Sequence, residues 1–252
     1  MSRASGKRGR VHIGTSGWHY SHWRGPFYPA DLQPSRFLEY YVGRFTAAEI
    51  NNSFYKLPEE QTLADWRKAT PDGFVFAVKG SRYITHMKKL KEGEKSVPHF
   101  LDRVKVLGQK LGPILFQLPP QWRRNVDRLD EFLSALPNEY SYAFEFRDSS
   151  WFADEVNQAL AAKNAAFCVY DFDGRESPRT VTADFAYVRL HGPDGPYQGQ
   201  YDEGTLRDWA GVLHDWAGQG KDVFCFFDND EAGYAAQDAL RLKQMVHRLQ
   251  SR

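Results

Sequence analysis

The sequence has little of several features that would identify a protein class at once. It contains only two cysteines, Cys168 and Cys225, and both lie within apolar runs. A free cysteine in such a run usually behaves as a small buried hydrophobic residue, and two of them do not make a disulfide framework. A reducing cytoplasm is therefore the expected compartment.

Long apolar stretches and an excess of one charge are also missing. No run approaches the roughly 20 apolar residues that a membrane-spanning helix needs, so we expect no membrane partner. The first ten residues are small and basic but lack the apolar segment of a secretory signal, and we expect residues 1–10 to form a disordered basic tail. With 33 basic and 32 acidic residues, overall charge does not indicate a nucleic-acid partner; only a local basic surface would.

Several motifs that carry chemistry are absent from the sequence. There is no glycine-rich dinucleotide fingerprint and no His-Glu-x-x-His metal motif, so we expect no organic cofactor and no motif-defined metal site. There is no Gly-x-Ser-x-Gly, and neither cysteine has an activating neighbour in sequence. These absences disfavour nucleophilic triads.

What the sequence does contain is eight short runs typical of strands, most of them separated by helical patterns. The runs lie at 11–16, 47–53, 74–79, 113–118, 142–147, 167–171, 185–191 and 223–227. Strands that alternate with helices imply parallel pairing with right-handed crossovers. Eight units in 252 residues predict a single α/β domain over residues 11–252, a (β/α)8 TIM-type barrel. An open doubly wound sheet is the main alternative.

One unit of this barrel is irregular. The segment 172–184 contains Gly174 and Pro178 and has no helical periodicity. The pattern therefore predicts a loop in place of a regular sixth helix.

The run at 142–147 shows how the strands would carry function. Tyr142, Phe144 and Phe146 share one face, while Glu145 and Arg147 share the other. Charged side chains are rarely buried unless they are paired or used, and barrel enzymes place their sites at the carboxyl ends of the strands. The same alternation predicts an inward polar set of Glu49, Lys79, Gln117, Glu145, Arg147, Arg189 and His191.

We expect from this set an enzyme, a hydrolase or lyase that acts on a small anionic, ring-bearing substrate such as a sugar phosphate or nucleotide fragment. Glu145 would be the main acid/base, with Glu49 or His191 as its partner. The predicted substrate contacts are Lys79, Arg147 and Arg189 for the anion, Gln117 and Asn51 for hydrogen bonding, Trp18, Tyr20 and Trp151 for stacking on the ring, and Asn229 after the eighth strand.

Four alternatives remain open at this point. The charged set would also fit a purely structural ion network, or a glycosidase with Glu49 and Glu145 as its carboxylate pair. A divalent metal site would give a metal-dependent phosphodiesterase; its ligands would be Glu49, Glu145, Asp171 and His191. A non-catalytic module would bind nucleic acid or a protein through the basic loop 82–95 and the tail residues 7–10.

Seven motifs in one order resemble the YecE-like family, domain of unknown function 72, over about residues 11–249. They are 14–18, 49–55, 81–86, 116–120, 145–147 with Trp151, 188–192, and 229–230 with 233–234. The resemblance implies a TIM-type barrel and a cytoplasmic, bacterial-type protein, without a settled activity. The sequence departs from the family pattern at Asp228, where the family usually has Asn. That extra negative charge would weaken anion recognition at the eighth strand.

Overall fold

The computed structural model describes residues 7–251. Most of the predicted disordered tail, residues 1–6, lies outside the described residues. Within the remainder of the tail, the backbone N–H of Gly9 donates to the carbonyl of Ala217 at 2.9 Å. Arg10 forms an ion pair with Asp222 at 3.1 Å.

Strands and helices alternate along the described chain, except that no helix lies between residues 172 and 185. Its strands are β1 (Val11–Thr15), β2 (Ala47–Ile50), β3 (Val75–Lys79), β4 (Leu111–Gln117), β5 (Tyr142–Glu145), β6 (Ala166–Phe172), β7 (Arg175–Glu176), β8 (Phe185–Leu190) and β9 (Asp222–Phe227). Its α-helices are α1 (Phe37–Val42), α2 (Glu60–Ala69), α3 (Gly93–Val104), α4 (Val126–Ala135), α5 (Asp154–Ala162), α6 (Glu203–Gly218) and α7 (Tyr234–Gln250).

The eight long strands pair in parallel in the order β1-β9-β8-β6-β5-β4-β3-β2. The ring is nearly closed between β1 and β2, where Ser16 bridges to Glu49. These two strands come so close that a Cβ atom on Gly14 would lie 2.1 Å from the carbonyl oxygen of Ala47, so only glycine fits at position 14. The predicted (β/α)8 barrel is confirmed, and the open doubly wound sheet is wrong.

The irregular sixth unit is also confirmed. Instead of a helix, β6 turns back into the two-residue strand β7, which pairs antiparallel to β6. Asp173 and Gly174 at the turn both have positive φ, as a tight hairpin with a type I′ turn requires. Between β7 and β8 the described chain continues without a helix.

An apolar layer inside the barrel lies beneath the layer of inward-facing polar residues. Small side chains line the lower interior of β2 to β6, whereas rings fill the side formed by β8 and β9. This inner layer includes Ala47, Ala77, Leu115, Ala143, Phe185, Tyr187, Phe224 and Phe226. Because side chains alternate along a strand, the next inward position after Ala47 is Glu49, and the next after Ala143 is Glu145. The polar residues therefore form the layer directly above an apolar plug.

The helices pack around the barrel and cover the outer faces of the strands. In the part of the chain from 7 to 251, no helix is both long enough and apolar enough to cross a lipid bilayer.

Candidate active site

Arg189 is the centre of a buried ionic cluster at the carboxyl-terminal end of the barrel. Its Nη2 donates to Glu49 Oε1 at 2.8 Å and to Asp228 Oδ2 at 2.9 Å, and its Nη1 donates to Glu145 Oε2 at 2.9 Å. The side chain of Arg189 is fully buried. The alternation therefore brings Glu49, Glu145 and Arg189 together, and Asp228 adds a third carboxylate that was outside the predicted set.

Each carboxylate oxygen of Glu49 accepts two hydrogen bonds from neighbouring side chains. Ser16 Oγ and Arg189 Nη2 donate to Oε1 at 2.6 and 2.8 Å, while Tyr187 OH and Arg189 Nε donate to Oε2 at 2.6 and 3.1 Å. A carboxylate can accept about four hydrogen bonds. Glu49 is thus saturated and fully buried, which suits a residue that holds Arg189 in place.

Glu145 is buried between two guanidinium groups. Arg147 Nε donates to Oε1, and Arg189 Nη1 donates to Oε2. Burial raises the pKa of Glu145, but the charges of Arg147 and Arg189 outweigh it and hold the pKa well below its ordinary value. Glu145 is therefore ionised and can serve only as a base until one of these partners moves.

His191 is bonded by the same two arginines. Its Nε2 lies 3.1 Å from Arg147 Nη2 and 3.4 Å from Arg189 Nη1. Because arginine only donates, Nε2 must be the acceptor, and the ring proton belongs on Nδ1. Nδ1 lies 3.1 Å from Asp228 Oδ2, but the angles do not allow a hydrogen bond between them. Burial and both arginines lower the pKa of His191 well below its ordinary value, so the ring is neutral.

Arg147 connects this cluster to a cavity of about 350 Å³. Its guanidinium carbon lies 3.9 Å from the ring centre of Phe172 and 4.9 Å from that of Tyr170. Its side chain keeps 6 % exposure, whereas that of Arg189 keeps none. The cavity is lined by Gln117, Pro120, Arg147, Tyr170, Phe172, Asp173, Arg175 and Tyr197.

Tyr197 forms one wall of this cavity with an unusual backbone. Its φ is +66°, a region that costs a non-glycine residue about 1–2 kcal/mol. The ring is 5.7 Å from Phe172 and 5.6 Å from His191, nearly edge-on to both. It remains 41 % exposed, so this strained loop presents an aromatic surface directly beside the ionic cluster.

Gln117 lines the cavity from β4, and Lys79, at the end of β3, lies beside the ionic cluster outside the cavity lining. Gln117 is buried, and its Oε1 has no hydrogen-bond partner within residues 7–251. Lys79 keeps 7 % exposure, and its Nζ lies 4.5 Å from the ring centre of Phe54. Burial and the positive charge of Arg189 lower the pKa of Lys79 to about 8, although nearby carboxylates oppose the shift.

Apart from Tyr20, four further predicted contacts lie away from this cavity. Trp18 packs in the core against Trp66 and Phe76, and Trp151 stacks on Phe146; both indoles are buried. Asn229 bonds Gly199 and Asp238 beneath the loop after β9. Asn51 follows β2, which ends at Ile50 instead of extending to Ser53, because a 3₁₀ turn forms at Asn52–Phe54.

Tyr20 occupies an intermediate position. It is half-buried, and its hydroxyl donates to the carbonyl of Ser16 at 2.7 Å. It lies on the β1 side of the cluster, away from the cavity lining. The rings that do line the cavity, Tyr170, Phe172 and Tyr197, were not predicted as contacts. The alternation of β6 indicates Tyr170, but no sequence signal distinguishes Tyr197 from any other loop tyrosine.

The geometry bears on two of the alternative chemistries. The guanidinium of Arg189 bonds both Glu49 and Glu145, so no space remains between the two carboxylates for a sugar ring. Asp171 accepts from Tyr201 OH at 3.0 Å. Across the described residues, no group of three or more His, Cys, Asp or Glu side chains is arranged to hold a metal ion.

Two proteins of known sequence resemble this chain. Over 94 % of each chain, the sequence is 29 % identical to the UPF0759 protein YunF of Bacillus subtilis (strain 168). It is 34 % identical to the UPF0759 protein YecE of Escherichia coli (strain K12) over 49 % of this chain and 46 % of that protein.

Solved structures give the same result. A DUF72 family protein from Thermotoga maritima superposes with a TM-score of 0.86 at 30 % identity, covering 94 % of this chain and 99 % of that one. A DUF72 family protein from Enterococcus faecalis, at 18 % identity, shares the fold with a TM-score of 0.81 over 94 % of this chain and 95 % of that one. The family described as "Protein of unknown function DUF72" matches residues 12–252. The predicted family is confirmed, and the chain belongs to the DUF72, or UPF0759, family.

Proposed function

We propose that this protein is a hydrolase or lyase that acts on a small anionic, ring-bearing substrate bound in the cavity beside Arg147. One observation carries the proposal: the cavity combines a guanidinium group, an unpartnered amide oxygen and three aromatic rings directly above an ionised, buried Glu145. Enzyme sites commonly join an apolar cavity to a few convergent polar groups with shifted pKa values.

Arg147 would bind the anion of the substrate. Its guanidinium carbon already lies over the rings of Phe172 and Tyr170, at the wall of the cavity. Arginine suits phosphate and carboxylate because it donates two parallel hydrogen bonds. Arg175, at the exposed edge of the cavity, adds a second positive charge. The ring of the substrate would pack against Phe172 and Tyr197.

Binding of the anion would also activate the base. In the free protein Arg147 donates to Glu145 Oε1 and to His191 Nε2, so neither group has that acceptor free. A substrate anion competes for the same guanidinium. When Arg147 turns toward the substrate, Glu145 loses a cation, and burial raises its affinity for a proton. Glu145 can then accept a proton from the substrate.

The remaining charged groups have separate roles in this proposal. Lys79, whose pKa is lowered to about 8, adds an amine to the same group of side chains. Glu49 and Arg189 would position the cluster, since each has its hydrogen-bonding capacity filled by neighbours. This assignment replaces the acid/base role predicted for Glu49. Because both cysteines are buried and free, we place the reaction in the cytoplasm.

The test begins with a panel of sugar phosphates and nucleoside monophosphates, screened for thermal stabilisation and then for turnover by NMR. For any substrate that turns over, Glu145→Gln should lower kcat by at least about 10²-fold. The matched control is Glu94→Gln, at an exposed position at the start of α3. Turnover near that of the wild type in Glu145→Gln would reject the assignment.

A second candidate function is supported by a different surface. The loops after β2 and β3 expose Tyr55 (81 %), Tyr83 and Met87, beside cations such as Arg82 and Lys89 that are exposed. Exposed aromatic and basic side chains together suit a single-stranded nucleic acid, which stacks its bases and pairs its phosphates. The tail residues cannot belong to this surface, because Arg10 pairs with Asp222 at the opposite end of the barrel.

This second function predicts binding of a short oligonucleotide that weakens steeply with salt. Fluorescence anisotropy between about 50 and 200 mM salt measures it. The double variant Tyr55→Ala, Tyr83→Ala should reduce the affinity without changing the melting temperature. An affinity that does not vary with salt would count against this function.

A further inference from the structure

Lys79 differs from the two other cations of the cluster. Arg189 bonds three carboxylates, and Arg147 bonds Glu145. The Nζ of Lys79, in contrast, has neither a hydrogen bond nor an ion pair within the described chain, and it lies over the ring of Phe54 at 4.5 Å. A buried ammonium group is costly unless it is paired or used. Phe54 offers only a ring face.

The surroundings hold the base of this side chain rigidly. Lys79 is the last residue of β3 and pairs with Leu115 of β4, and its carbonyl accepts from Ser53 Oγ at 2.6 Å. Phe54 is fixed in turn by His86, whose ring is 5.0 Å away and edge-on. The backbone of Lys79 is therefore held in place beside the ionic cluster, and its side chain ends in an Nζ that has no partner among the described residues.

The charged groups that act on this amine come from every side of the mouth. They are Arg189 from β8, Asp228 after β9, Glu145 from β5, Glu49 from β2, and His86 from the loop after β3. Burial and Arg189 favour the neutral amine. A lysine that is desolvated or placed beside another cation is the usual form of a nucleophilic lysine in enzymes.

We propose that Lys79 is a nucleophile that forms an imine with an aldehyde or ketone group of the substrate. This inference rests on the proposed anion site at Arg147, and it narrows the substrate to anionic carbonyl compounds and the reaction to a lyase. The strands β3 and β5 lie two strand spacings apart, about 10 Å, and a lysine side chain spans part of that gap. A phosphate or carboxylate separated from its carbonyl by a short chain or one ring fits this spacing.

The chemistry balances without an oxidant or a reductant. The Nζ lone pair attacks the carbonyl carbon, the carbonyl electron pair moves to oxygen, and a proton passes from nitrogen to that oxygen to give a carbinolamine. The hydroxyl takes a second proton from solvent and leaves as water, and the nitrogen lone pair forms the protonated imine. When Glu145 removes the proton of a hydroxyl two carbons from the imine carbon, the bond between those two carbons breaks. The new carbonyl compound leaves, and the electron pair of the broken bond forms an enamine. The proton returns from Glu145 to the enamine carbon, and water then hydrolyses the resulting imine to the second carbonyl product and Lys79.

The probe for this inference is pyridoxal 5′-phosphate, used only as an anionic aldehyde with a ring. The full-length protein is incubated with the probe and reduced with borohydride, which converts an imine into a stable secondary amine, and the adduct is mapped by mass spectrometry. At pH 7 a lysine with a pKa of about 8 is about one-tenth free amine, whereas an exposed lysine with a pKa of about 10.4 is less than one-thousandth.

We expect Lys79 to carry at least about tenfold more label than the exposed Lys68 at pH 7. The initial rate of labelling should rise with pH and level off above about 8, because the amine is then deprotonated. Lys79→Arg, which keeps the positive charge, should remove this adduct. Lys79→Met provides a second variant if the arginine disturbs the fold, and circular dichroism with a melting curve confirms folding in both.

Two further measurements separate this inference from the proposed function. Inorganic phosphate should slow the labelling of Lys79, and Arg147→Met should slow it at least about tenfold at low probe concentration. If phosphate binds in an Arg147-dependent manner but Lys79 is labelled no faster than Lys68, the imine is overturned and the anion site stands. If Lys79 is labelled selectively without any effect of phosphate or Arg147, the imine is supported and the proposed anion site is contradicted.

Discussion

The ionic cluster has two halves that both contain charged side chains but differ in how completely those side chains are paired. The closed half consists of Glu49, Arg189, Tyr187 and Ser16, and its donors and acceptors satisfy one another without solvent. The open half consists of Arg147, Lys79, Gln117, Phe172 and Tyr197. Here an amine and an amide oxygen lack partners within residues 7–251, and a cavity begins.

The difference shows that the number of charges at a barrel mouth does not measure its ability to bind a ligand. Arg189 is the most buried cation of the mouth, yet its bonds to Glu49, Glu145 and Asp228 leave none of its N–H groups available to a substrate. Removing such ions from water is costly, and the cost is offset only by complete pairing. We therefore assign support to the closed half and ligand contact to the open half.

The largest effect should follow from breaking the closed half. Arg189→Met leaves Glu49 and Asp228 buried without their arginine partner and Glu145 with Arg147 alone, and loss of one partner of a buried pair costs about 3–5 kcal/mol. Urea denaturation measures the free energy of unfolding. The control is Arg207→Met, which removes an exposed ion pair with Glu203 on α6 and should change stability by at most about 1 kcal/mol. Equal effects of the two substitutions would contradict a supporting role for Arg189.

Arg147→Met should separate the two halves. Glu145 keeps its bond from Arg189 in this variant, so the loss of stability should be clearly smaller than in Arg189→Met. The affinity for inorganic phosphate should fall at least about tenfold, because a charge-assisted bidentate contact is lost. Isothermal titration calorimetry gives both affinities. Unchanged phosphate binding in Arg147→Met would place the anion elsewhere.

The smallest effect concerns the aromatic wall. Tyr197→Ala should weaken the binding of a nucleoside monophosphate by about 0.5–1.5 kcal/mol, the usual contribution of one aromatic contact. It should leave the binding of inorganic phosphate unchanged. Tyr140→Ala, at a partly exposed tyrosine that precedes β5 at the opposite end of the barrel, serves as the control. If both tyrosines affect the two ligands equally, the ring does not lie in the cavity.

The barrel itself was predictable from the sequence because strand alternation and helical spacing are local signals. Glu49, Glu145 and Arg189 meet because each occupies an inward position at the end of a strand. Local signals fail where packing decides. Trp18 and Trp151 follow strand ends as rim residues would, but their indoles fill space in the core.

The sequence also could not show how each of the three cations is bonded. Arg147, Arg189 and Lys79 share the same alternation, and only tertiary distances reveal that one is saturated, one bridges Glu145 and His191, and one lacks a partner. Asp228 shows the same limit: its residue type implied weaker anion recognition, whereas in the fold its carboxylate is occupied by Arg189.

The central claim is that a substrate anion meets Arg147 and not Arg189. NMR of the arginine Nε–H signals during a titration with inorganic phosphate tests it most directly, with the two signals assigned from Arg147→Met and Arg189→Met. The account predicts that the Arg147 signal shifts in a saturable manner while the Arg189 signal stays in place. A shift of the Arg189 signal alone, or of neither signal while phosphate binds, would contradict it.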